Sequence, residues 1–109
     1  MNPLEVWESL LKESAENPIE LETKTGLNFK LASGGIFLIV FESEKEPSSK
    51  LKSPRPIYKE NFLKVFPYYE KWVAEEKGIS KEITSITVNS VYIMAGIKYQ
   101  LNQTRKFTN

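Results

Sequence analysis

In residues 3–16 the apolar side chains Leu4, Trp7, Leu10 and Leu11 recur every three or four positions, with Glu5, Glu8, Lys12 and Glu16 between them. That period lines them up on one side of an α-helix. Asn2 stands where an N-cap is needed, Pro3 occupies the first helical position, where a missing N–H breaks no hydrogen bond, and Asn17-Pro18 stops the helix. The period then drops to two. Ile19, Leu21 and Thr23 alternate with Glu20, Glu22 and Lys24, and beyond Thr25-Gly26 the alternation resumes with Leu27, Phe29 and Leu31 against Asn28 and Lys30. Two strands, each apolar on one face, are therefore expected, joined by a tight turn. Ser33-Gly34-Gly35 turns the chain again into residues 36–41, the most apolar run, completing an antiparallel meander. In this run Ile36, Leu38 and Val40 point one way and Phe37, Ile39 and Phe41 the other, so it reads as a strand buried on both faces.

Residues 43–56, rich in Pro, Ser and Lys, have no apolar period and read as a mobile surface loop, after which residues 55–58 can add a short fourth strand. Over residues 59–77 Phe62, Val65, Phe66, Tyr69, Trp72 and Val73 share one helical face, an aromatic stripe that belongs to a core rather than a ligand box. Pro67 kinks or splits this helix, and Gly78 stops it. Ile83, Ile86 and Val88 favour a strand. Residues 91–101 fit either period and are read as helix, capped by Asn89 or Ser90, with Ile93, Met94, Ile97 and Leu101 on one side. Residues 102–109 read as a frayed tail. The fold class is α+β: a meander of three to four antiparallel strands packed with an N-terminal helix, a long central helix kinked or split at Pro67, and a C-terminal helix. The central helix can cover one face of the strand at 36–41. If the N-terminal helix packs beside it instead of on the other face, Phe37, Ile39 and Phe41 are left bare as an interface for a second copy or a protein partner.

At 109 residues the chain has room for one domain, and its longest apolar run is too short to cross a bilayer. Its first residues lack the basic start and apolar core of a secretory signal, so a cytoplasmic location without membrane contact is expected. The chain contains no His, Cys or Asp. Ser-His-Asp and Cys-His nucleophile systems and Cys/His zinc sites are thereby excluded for a single chain, no cofactor is expected, and Glu, Lys, Tyr, Ser and Thr remain as chemical actors. The net charge of +1 is uneven: residues 1–22 hold six Glu against Lys12, a net of −5, which leaves +6 for the rest.

Glu20-Leu21-Glu22-Thr23-Lys24 resembles the Glu-x-Lys half of a restriction-type nuclease site, in which carboxylates hold a divalent ion and the lysine polarises water. The upstream acidic residue on a neighbouring strand is missing, and Glu42-Ser43-Glu44-Lys45 fails in the same way, so both read as the wet faces of strands. Ser33-Gly34-Gly35 leads into a strand rather than a helix and is no phosphate loop. A basic group with an aromatic at its end, Lys50, Lys52, Arg55, Tyr58 and Lys59, together with Arg105 and Lys106, could meet nucleic-acid phosphates. Against this, the isoelectric point near 7.9 lies below the value of about 9 common in DNA-binding domains.

One wider pattern spans residues 23–99: Thr23-x-Thr25-Gly26-x-x-Phe29, a Gly-led apolar strand, Arg55-x-Ile57 leading to Phe62, and Thr87-x-Asn89-Ser90-x-Tyr92-Ile93. It resembles small α+β accessory domains of restriction-type and mobile-element proteins. The resemblance implies a domain that contacts DNA or a partner, with Asn89, Ser90 and Tyr92 opening a helix; the loop at 43–56 is longer here. The expected function is a non-enzymatic binding or accessory module acting through protein contact or homodimerisation, with DNA contact through Lys50, Lys52, Arg55 and Lys59 as the alternative.

Overall fold

The structure, a computed structural model, describes residues 2–108, with the backbone alone for 104–108. Helix α1 spans Pro3–Glu16. Asn2 Oδ1 accepts the Glu5 N–H at 2.9 Å while Asn2 Nδ2 donates to Glu5 Oε1 at 3.0 Å, a reciprocal cap that satisfies one of the helix's free donors. Its buried stripe is Val6, Trp7, Leu10 and Ser14, and Leu4 lies off it, exposed.

Strands β1 (Ile19–Glu22), β2 (Asn28–Ser33), β3 (Leu38–Glu42) and β4 (Arg55–Ile57) form an antiparallel meander in the order β1-β2-β3-β4. The register pairs Ile19 with Leu31, Leu31 with Val40, Leu21 with Phe29, and Leu38 with Ile57, so these residues share one face, the inner one. With Val6, Trp7 and Leu10 of α1 and residues of the later helices they make one core. The expectation that residues 36–41 form a strand buried on both faces is corrected in two respects. Ile36 sits in the turn before β3 and is 85% exposed, and Phe37, Ile39 and Phe41 are only half-buried.

Helix α2 (Lys59–Val65) continues through one 3₁₀ turn, Phe66–Tyr68, into α3 (Tyr69–Val73). Pro67 opens that tighter turn, where its lack of an N–H is tolerated, so the helix bends without stopping. The helix ends before the expected Gly78. Glu75 adopts a left-handed φ of 56°, the Glu76 N–H reaches the Lys71 carbonyl and the Glu75 N–H reaches that of Trp72, which together form a Schellman cap. Gly78, with φ 81°, instead starts α4 (Ile79–Ile86). The strand preference read at 83–88 is thereby overturned: Ile79 and Ile83 are buried one turn apart with Ile86 half-buried beside them, and Val88 is exposed. Helical packing of a stripe at four- and three-residue spacing outweighs the β preference of isoleucine.

Helix α5 spans Ser90–Thr108. Residues Tyr92, Ile93, Met94, Ala95 and Ile97 are all buried, so this stretch is enclosed nearly all round, which removes the one-sided period that would have marked it as a helix. Tyr99 OH donates to Glu13 Oε1 at 2.7 Å and ties α5 to α1. Burial, and then that carboxylate, raise the Tyr99 pKa.

The stretch between β3 and β4 attaches to the sheet and to α5. The Asn28 N–H donates to the Pro47 carbonyl at 2.8 Å, the Ser49 N–H donates to the Asn28 carbonyl at 2.9 Å, and the Leu51 N–H donates to Glu42 Oε1 at 2.8 Å. Leu51 enters the core, and the Ser49 and Tyr92 hydroxyls meet at 2.5 Å in the interior. Tyr92→Phe leaves the Ser49 hydroxyl buried without this partner, which should cost about 1–2 kcal/mol. Amide hydrogen exchange at Ser49 and Leu51 should speed up in the variant while exchange within β2 and β3 hardly changes. Equal protection in both proteins would mean that this contact does not hold the loop.

Candidate interaction face

The same alternation that sends Leu38 and Val40 inward sends Phe37, Ile39 and Phe41 to the opposite, outer face, and none of the three belongs to the core. The register sets two rows across this face: Glu20, Lys30 and Phe41, then Ala32, Ile39 and Pro56. Past the end of β3 the Phe37 ring stands 5.7 Å from that of Tyr58. It also lies over the hairpin turn, where a Cβ on Gly34 would come within 2.7 Å of it, so glycine leaves the ring its place. Tyr58 is 54% exposed, and with Ile36 it makes an apolar corner at the hairpin end of the face.

The α1 and α2 helices pack side by side on the inner face, with the Trp7 and Phe62 rings 5.1 Å apart. In this arrangement the outer row stays outside the core, half-buried. Apolar side chains of this size, half out of water on a contiguous face, each stand to gain up to roughly 1.5–3 kcal/mol from burial against another surface.

Charged side chains surround the sheet. On β1 Glu20 accepts the Ser43 hydroxyl at 2.6 Å and Glu22 is exposed, while Glu44, just past the end of β3, lies 3.9 Å from Lys30 of β2. Near β4 Lys52, Arg55 and Lys59 are exposed, with no ion pair to them among the described residues, and the register sets Arg55 opposite Val40, on the inner side of the sheet rather than on this face. Lys50 differs from them. Its Nζ bonds Glu46 at 2.8 Å, and this hydrogen bond, reinforced by opposite charge, raises the Lys50 pKa and lowers that of Glu46. The Pro56 carbonyl accepts a long bond, 3.4 Å, from Asn89 Nδ2, so it points away from β3. The missing proline N–H therefore falls on the free side of β4 and blunts that edge against a further strand.

The other residues singled out in the sequence are placed elsewhere. Tyr92 and Ser90 are buried and Asn89 half-buried. Asn89 precedes α5 as expected, but its amide reaches toward Pro56 instead of capping the helix. The side chains of Arg105 and Lys106 lie outside the described residues. Lys24 falls in the turn after β1 rather than on the strand. Its Nζ donates to the Trp72 carbonyl at 3.1 Å, lies 3.2 Å from Glu75 Oε1 and sits 4.7 Å above the Trp72 ring. A cation there favours the C-terminal end of α3, and these contacts occupy the lysine that a nuclease reading would assign to water activation. It also borders a cleft of about 450 Å³ lined by Tyr69, Trp72, Val73 and Lys98. Among the described residues no helix is long and apolar enough to cross a membrane.

The exposed corner at Ile36 and Tyr58 was missed in the sequence because the apolar run was read as strand from its first residue. The glycine pair was the available signal: it places Ile36 in the turn itself. No family model, curated protein or solved structure matches the chain.

Proposed function

We propose that the protein is a non-enzymatic binding module that works by protein contact through the outer face of its sheet. The observation that supports it is that the helices gather on the inner face while Phe37, Ile39 and Phe41, with Tyr58 at the corner, remain outside the core. The lack of His, Cys and Asp, and the engagement of Lys24 with Trp72 and Glu75, support a role without catalysis. An accessory domain of the restriction-type or mobile-element kind, which the sequence resembles, would be a module of this sort. Purified protein should show no divalent-ion-dependent nuclease activity. Cleavage that is lost in Glu22→Gln or Lys24→Ala would overturn the non-enzymatic reading.

The direct test replaces Ile39 by a photo-crosslinking amino acid and compares it with the same replacement at Glu8, on the solvent side of α1. Protein adducts should form at position 39 and not at position 8. A cell extract in which neither position yields a protein adduct would reject contact through this face.

A second reading, DNA contact, is favoured by the exposed cations Lys52, Arg55 and Lys59, which form no ion pair among the described residues, and by the exposed Tyr58 ring. Binding of that kind would be driven by phosphate charge and fall steeply with salt, and Lys52→Glu with Arg55→Glu would weaken it about equally for all sequences.

A further inference from the structure

We infer that the cleft between α3 and α5 is a binding site for a small aromatic monocarboxylate. The cleft shares no residue with the rows of the outer face, so the ligand is an addition to the protein contact proposed above and does not depend on it. The first ground is size and lining. The cleft holds about 450 Å³, within the range of roughly 300–1,000 Å³ usual for small-molecule sites. Tyr69, Trp72 and Val73 of α3 and Leu101 of α5 give it apolar walls. The Tyr69 and Trp72 rings stand 5.9 Å apart, and Val73 is 53% exposed, so apolar surface is open to an incoming ring. A ring laid there would cover that surface, and the neighbouring Tyr69 and Trp72 favour an aromatic one over an aliphatic chain of equal area.

The second ground is charge. Of the charged side chains that line the cleft, Lys24 and Lys98 stand against Glu70, a net of +1. Lys24 enters from the turn after β1, with its Nζ bonded to the Trp72 carbonyl and seated over the Trp72 ring. Its ammonium is therefore in place before a ligand arrives, and little side-chain freedom is left to lose on binding. Glu75, 3.2 Å from Lys24, does not line the cleft, and its side chain is 73% exposed, which weakens its hold on that charge. Lys98 is exposed on α5 and has no ion pair among the described residues. One carboxylate neutralises this balance. A second negative charge would meet Glu70, and a cationic ligand would face two ammonium groups for one carboxylate.

Exposure sets the strength. The Lys24 side chain is 40% exposed and Lys98 lies in water, so charge adds only a few-fold to what the ring gains from burial. A two-ring carboxylate should bind with a Kd on the order of 1 mM.

Titration of the full chain with naphthylacetate, and with naphthylacetamide as its neutral counterpart, decides it, followed by proton–nitrogen correlation NMR at neutral pH and low salt. Naphthylacetate should give saturable shifts at the Trp72 indole N–H and at the Val73 and Leu101 amides, and naphthylacetamide should bind there about two- to fivefold more weakly. High salt should narrow that difference. Lys98→Gln should weaken naphthylacetate about two- to fivefold and leave naphthylacetamide unchanged, while Glu70→Gln should tighten naphthylacetate about twofold. Both positions are exposed on helices, so both variants should keep the fold, with spectra that match the wild type away from the cleft. Shifts at these groups that do not saturate at about ten times the expected Kd overturn the site. Equal affinity for the two ligands, or naphthylacetate binding that neither substitution alters, overturns the carboxylate. Saturable shifts confined to Ile39, Phe41 and their neighbours overturn the cleft in favour of the outer face. Crosslinking at position 39 tests the outer face by itself, so either reading can fall without the other.

Discussion

Lysine at position 40 is expected to unfold the protein, and lysine at position 39, one residue away, to leave it folded. Val40 is fully buried on the inner face, paired with Leu31 in the middle of the core. An ammonium placed there would have to shed its water or its proton, and its long stem would overfill a packed site. Together these should cost more than about 4 kcal/mol. A domain of this size has a total stability of roughly 5–15 kcal/mol, so a loss of that order removes much or all of the margin. Ile39 is half-buried on the outer face, and a lysine there can lie along the sheet with its charge in water, at a cost of about 1–2 kcal/mol. Urea unfolding followed by circular dichroism separates the two outcomes. If both lysine variants unfold alike, the outer row belongs to the core of the monomer, and the binding face does not survive.

Phe62→Ala is expected to lower stability by about 3–5 kcal/mol, the usual range for a large aromatic removed from a packed interior. Phe62 is 1% exposed, its ring lies 5.1 Å from that of Trp7 and 6.0 Å from that of Phe66, and it therefore joins α1 to the bent central helix. Truncation leaves a cavity between the Trp7 and Phe66 rings in the core, where collapse is limited. At about 4–8 °C per kcal/mol, the midpoint of thermal unfolding should fall by at least 10 °C. Tyr58→Ala, at an aromatic only four residues earlier but half exposed, should cost less than about 1.5 kcal/mol. A Phe62 variant that melts within a few degrees of the wild type would show that α1 and α2 do not pack as described. The placement of both helices on one face of the sheet would fall with it.

Local signals were sufficient where one residue type answers one need. Asn2-Pro3 at the start of α1, the alternation of β1 and the kink at Pro67 all appear where the sequence placed them, whereas Leu27, read as the first inward residue of the second strand, is exposed ahead of β2 and Asn28 is buried. They failed where the deciding partner lies far along the chain. Residues 59–77 were taken to run on to Gly78, because glycine is the residue that best tolerates a left-handed φ. The chain leaves the helix at Glu75 instead, and Lys24, fifty residues earlier, stands against that end. Residues 92–97 carried no clear period because α5 is enclosed on nearly every side, and enclosure is a property of the whole assembly.

The candidate site divides in the same way. Composition alone removed histidine, cysteine and aspartate chemistry, and alternation alone put Phe37, Ile39 and Phe41 on one side of a strand. Which side the helices would cover was beyond either signal, since both faces of that strand are apolar and the row of Leu38 and Val40 looks no more suited to a core than its opposite. Tertiary packing decided it. Ile19, Leu21, Phe29 and Leu31 on the neighbouring strands join Leu38 and Val40 in a continuous inner surface, whereas the outer row is flanked by Glu20, Lys30 and Pro56. Helices bury the most apolar area on the face where the neighbouring strands agree, and that agreement exists only once the register is formed.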